Sequence, residues 1–149
     1  MSGSSDSWAA PGAAPGPRSV GDRVLVRVRA DWANLPVVRE VAAAVSTGLG
    51  DGPDGATDLI LAVDEVCATL IGLAAPGAVV DCALVRQAGA LRVEASVLAA
   101  TGAEIDTTSF GWRVLEALAD SVDCGVGPGP DGRANVHISV VRAETAGAW

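Results

Sequence analysis

An α/β two-layer sandwich, with a mostly antiparallel sheet and helices on one face, is the fold class this 149-residue sequence predicts. Three observations lead there. Four segments alternate apolar and polar residues with period 2, the mark of half-covered strands. Three others carry apolar stripes at helical spacing. Half the residues are hydrophobic but only 3% are aromatic, so the core is built from Ala, Val and Leu. A domain of about 150 residues buries roughly 70% of its unfolded surface and needs no disulfide scaffold.

Residues 1–21 are rich in Ser, Gly, Ala and Pro and have no periodic apolar face. They are expected to be a disordered tail, because they offer too little burial to offset chain entropy. One domain is expected over 22–143, with a short tail at 144–149. Val24, Val26 and Val28 alternate with Leu25, Arg27 and Arg29 in the first strand. Asn34 is a candidate N-cap for a first helix, Pro36 suits its first turn, and Leu35, Val38, Val41, Ala42 and Val45 form its stripe. The run from Gly50 to Gly55 reads as a connector. A second helix is predicted from Thr57–Asp58 to about Ala74, with Leu59, Ala62, Val63, Val66, Cys67 and Leu70 on its apolar side. Pro76–Gly77 stops it.

Strands over Ala78–Val85 and Ala90–Leu98, joined by a short Gly-containing loop, predict a hairpin. No period is visible from Ala99 to Thr108. Ser109 can cap a third helix, with Phe110, Val114, Leu115, Leu118, Ala119 and Val122 as its expected buried side. Gly125–Gly132 reads as a Gly/Pro loop, and Ala134–Val141 as the last strand. The predicted order is β-α-α-β-β-loop-α-β.

Eighteen acidic residues against ten basic ones, all Arg, give a net charge of −8. With a pI near 4.4 and no basic run, direct nucleic-acid binding is not expected, since phosphate neutralisation needs clustered cations. No apolar stretch reaches the roughly 18 residues of a membrane span, and the first twenty residues lack the pattern of a secretory signal. Three cysteines without CxxC spacing point to a reducing cytoplasm.

The only histidine, His137, has no nucleophile or second ligand at a useful spacing and reads as an ordinary strand residue. Cys67 lies on the apolar stripe of the second helix and reads as core, whereas Cys82 and Cys124 could approach another thiol. The distinctive constellation is LAVDEVCAT, residues 61–69. It puts an acid within an otherwise apolar helix, and Glu65 and Thr69, four apart, share one helix face. A solvated helix face would look the same.

LAVDEVCATLI, together with the later SFGWRVLEALADSV, resembles the RsbW-type anti-sigma factors of the GHKL (histidine-kinase-like ATPase) superfamily, above all actinobacterial anti-sigma-F regulators. The likeness covers roughly residues 24–141. It implies a GHKL (Bergerat-like) sandwich with a shortened lid. It also implies a cytoplasmic anti-sigma factor that sequesters an alternative stress or sporulation sigma factor and is released by an anti-anti-sigma partner. Homodimerisation through the sheet region follows from the same resemblance. The alternative function it implies is a serine protein kinase that phosphorylates the anti-anti-sigma factor with ATP.

By resemblance, Glu65 stands where the family has its catalytic, water-positioning Glu. Thr69 stands where an Asn holds magnesium, and Ser109 and Gly111 stand in the second glycine box that binds nucleotide phosphates. Arg39 and Glu40, on the first helix, are the implied partner-binding residues. The sequence departs from the family at three places. Thr69 gives the metal a hydroxyl instead of an amide oxygen, Ser96–Val97 offers no carboxylate to read adenine, and the glycine box keeps one glycine beside Trp112. ATP and Mg²⁺ are therefore expected to bind weakly or not at all.

Overall fold

A computed structural model describes residues 23–49, 52–87 and 89–143. The predicted tails at 1–21 and 144–149 lie outside the described residues. The elements are β1 (Arg23–Arg29), a 3₁₀ turn (Trp32–Asn34), α1 (Leu35–Leu49), α2 (Gly52–Leu73), β2 (Val79–Gln87), β3 (Ala90–Leu98), α3 (Phe110–Leu118), β4 (Ser121–Pro128) and β5 (Ala134–Ala143). The five strands form one antiparallel sheet in the order β1-β2-β3-β5-β4.

The alternation along the strands decides which face is covered. Val80, Cys82, Leu84, Val93, Ala95, Val97, Val136, Ile138 and Val140 are buried against the helices. On α2, Val63, Val66, Cys67 and Leu70 are fully enclosed and form the other half of that core. α2 lies between α1 and α3 and packs on β2, β3 and β5. The sandwich has two layers, as the periodicity predicted.

Several local expectations are corrected. The cap before α1 is Asp31, whose carboxylate accepts from the Ala33 N–H at 2.9 Å, and not Asn34. Asn34 instead donates its side-chain N–H to the Arg29 carbonyl, because the chain first tightens into a 3₁₀ turn. Gly52–Gly55 is the first turn of α2 and not a connector: Pro53 is tolerated there, and Asp54 suits the positive end of the helix dipole. Thr57 lies inside α2, its hydroxyl donating to the Pro53 carbonyl.

The third helix ends at Leu118, so Val122 belongs to a strand, β4, that replaces the first part of the expected Gly/Pro loop. Phe110 is 81% exposed, and the buried aromatic of α3 is Trp112, at 5%. Helix phase explains this, since Trp112 and Leu115 are three apart and face α2 and the sheet.

Candidate functional site

α2 gathers most of the residues singled out in the sequence. Its inner side is fixed by the core, so the acids at 64 and 65 turn away from the sheet and remain half-buried. Thr69 lies one turn beyond Glu65, and its hydroxyl donates to the Glu65 carbonyl at 2.8 Å. The bond spends the hydroxyl proton on the helix backbone, a common habit of Thr within helices.

The opposite wall is the start of α3. Ser109 caps this helix, its Oγ accepting from the Trp112 N–H at 3.1 Å. One turn earlier, the Asp106 carboxylate accepts from both the hydroxyl and the backbone N–H of Thr108. The hydroxyl first, and then the N–H, hold Asp106 below the usual carboxylate range. Gly111 brings the two walls together. A Cβ built there would lie 2.5 Å from Glu65 Oε2 and 3.3 Å from its Cδ, so the carboxylate rests directly on the glycine. Glu65 and Gly111 thus meet, with Thr69 one turn further along α2 and Ser109 capping the start of α3.

Arg39 and Glu40 are exposed on α1, as expected. Arg39 is not an isolated surface cation: its Nε meets Asp64 Oδ1 at 2.5 Å and ties α1 to α2. Sequence reading passed over Asp64. The signal was present in the Asp64–Glu65 pair, because neighbours on a helix diverge by about 100° and serve different walls. Trp32 was passed over too. It is 58% exposed, and its ring lies 3.9 Å from a Cβ built on Gly72, one turn beyond Thr69.

Among the described residues no group of three or more His, Cys, Asp and Glu is arranged to hold a metal ion. His137 faces the other side of the sheet, its ring against Gly125, where a built Cβ would meet Cε1 at 2.5 Å. Cys67 and Cys82 are buried, and Cys124 is exposed. A hydrogen bond with Cys67 and then burial push the Cys82 thiol up, so it stays protonated at neutral pH.

With this geometry in view, similarity to known proteins is specific. No family model matches the chain. Over 99 residues, 66% of the chain, it is 38% identical to the anti-sigma-F factor RsbW of Mycobacterium tuberculosis, with the same match in strains CDC 1551 and H37Rv. The chain spans 59% of the length of these relatives. In structure it is similar to a chain in the crystal structure of the SiaB–SiaC complex from Pseudomonas aeruginosa. The TM-score is 0.65 at 13% identity, covering 79% of this chain and 89% of that one. The second likeness shows the fold alone. The sequence is thus similar to RsbW-type anti-sigma factors.

Proposed function

We propose that the protein is a cytoplasmic anti-sigma factor that sequesters an alternative stress or sporulation sigma factor and is released from it by an anti-anti-sigma partner. The 38% identity to anti-sigma-F factor RsbW carries this reading, because it extends over 99 residues and not over a single motif. No helix among the described residues is long and apolar enough to cross a membrane, which is compatible with this placement. Transcription reconstituted with core polymerase and each alternative sigma factor of the same genome tests it. One of them should be inhibited at stoichiometric protein, and inhibition of none contradicts the proposal.

The kinase alternative is less favoured. In the kinase reading, Glu65, Thr69, Ser109 and Gly111 would face a nucleotide, which supplies a phosphoryl group when bound. The residues fit such a group poorly. The Glu65 carboxylate occupies the space over Gly111, the Thr69 hydroxyl is engaged with its own helix, and no carboxylate stands at Ser96–Val97. Losing one charge-assisted hydrogen bond to a ligand costs about 1.5–3 kcal/mol, so ATP–Mg²⁺ affinity should fall at least about tenfold below that of an intact site. Calorimetric titration that found low-micromolar ATP affinity would contradict this.

Homodimerisation belongs to the same proposal. The outer face of the sheet is not covered by any described helix and holds a shallow concavity lined by Arg23, Leu25, Asp81, Ala83, Ser96 and His137. Leu25 is 52% exposed there, opposite the small side chain of Ala83 in the β1–β2 register, which suits close approach of a second sheet. A monomer at micromolar concentration in sedimentation equilibrium would contradict it.

A further inference from the structure

The outward side of α2 has an unusual make-up for a solvated helix face. Leu61, 44% exposed, precedes Glu65 by one turn, then come half-buried Ala68 and exposed Gly72. These positions follow the i, i+4, i+7, i+11 course that keeps residues on one side of a helix. From Leu61 to Gly72 the strip runs about 16 Å along the axis, at a rise of 1.5 Å per residue. Two exposed aromatics from neighbouring elements lie along it, one at the Gly72 end and one beside the Glu65 position. Trp32 packs at Gly72, and Phe110 adjoins Gly111, on which the Glu65 carboxylate rests. The Gly72 half of the floor is small, Trp32 stands at that end, and the flanks are α1 with its Arg39–Asp64 tie and the start of α3 with Phe110.

We infer that this strip is a docking groove for one amphipathic α-helix of the partner, with Leu61, Trp32 and Phe110 taking its apolar side chains and Glu65 taking an Arg or Lys. The inference rests on the proposed anti-sigma function and names the surface that performs it. Two observations select this occupant. The length matches three helical turns, and the charge is one-sided. The Arg39 guanidinium is already held by Asp64, whereas among the described residues the Glu65 carboxylate accepts no hydrogen bond. Glu104 and Asp106 are exposed on the approach to α3, and Asp106 is held ionised by Thr108. An apolar strip centred on an unpaired carboxylate in an acidic protein selects a basic amphipathic helix.

The test uses the full chain and the sigma factor it inhibits in reconstituted transcription. Binding is measured by calorimetry for wild type and for Leu61→Ser, Phe110→Ser, Glu65→Arg and Val126→Ser. Val126 is equally apolar and 65% exposed, but lies on β4 away from the groove. Far-UV circular dichroism and thermal midpoint confirm that each variant is folded. Leu61→Ser and Phe110→Ser should each weaken binding at least tenfold, Glu65→Arg more than either, and Val126→Ser less than twofold. A sigma factor that binds all four variants like wild type overturns the groove and leaves the anti-sigma function standing. If no sigma factor binds wild type, that function fails and the groove with it. Self-association of wild type that Phe110→Ser abolishes assigns the groove to a second copy and also overturns the inference.

Discussion

Gly111 and Gly129 look alike in the sequence but differ in what a side chain would meet. At Gly111 the obstacle is the far end of Glu65, which can swing aside, and alanine is the better helix former. Gly111→Ala should therefore leave stability within about 1 kcal/mol of wild type. At Gly129 the obstacle is the Arg133 carbonyl at 2.7 Å, with Leu98 at 2.9 Å, so Gly129→Ala should cost about 1–3 kcal/mol. Urea denaturation of the two variants checks the contrast. Ser109→Ala removes the α3 cap and should cost about 1 kcal/mol in the same assay.

Asp106 gives a pH-dependent counterpart. Its carboxyl is held low by the Thr108 hydroxyl and N–H, so the ionised form favours the folded state. This contribution is present above the ordinary carboxylate range and is lost as pH falls through the lowered value. NMR titration should place the Asp106 midpoint below the usual value of about 3.9, and Thr108→Val should move it up. An unchanged midpoint in Thr108→Val would contradict the assignment.

α2 shows what stabilises the helical layer. Leu70 is fully enclosed against the sheet, and Leu70→Ala should cost about 2–5 kcal/mol. The Arg39–Asp64 tie is partly exposed, and a double-mutant cycle on it should give about 0.2–1 kcal/mol. A larger tie than core effect would mean that α1 is held by charge and not by packing. The inner stripe of α2 and the faces of β2, β3 and β5 were legible because burial imposes a strict period. The start of α2 was not, since Gly52, Pro53 and Gly55 signal a turn until the helix beyond them accepts them as its first residues. β4 was hidden for a related reason. Gly125, Gly127 and Pro128 have poor strand propensity, but an edge strand pairs on one side only, and Gly125 makes room for the His137 ring. That Glu65 and Thr69 share one side of α2 was readable from their spacing, and the SFGWRVLEALADSV resemblance added Ser109 and Gly111. The contact of Glu65 with Gly111 depends on how α3 packs against α2, which no local pattern encodes.

Taken whole, the molecule is a one-sided sandwich, with helices on one face of its sheet and its core closed between them. The thiols report on that closure. Of three cysteines, only Cys124 should react rapidly with a disulfide reagent in the native protein, while Cys67 and Cys82 should react only on unfolding. Two fast thiols would show that the core opens under α2.

If the proposed anti-sigma function holds, partner capture should need no nucleotide, since the Glu65 carboxylate already occupies the space over Gly111. Size-exclusion chromatography of the purified chain with each alternative sigma factor of its genome, in buffer free of nucleotide and Mg²⁺, tests this most directly. One sigma factor should co-elute with the protein as a stoichiometric complex at micromolar concentration. Separate elution of every pair, or a complex that forms only when ATP–Mg²⁺ is added, would contradict it.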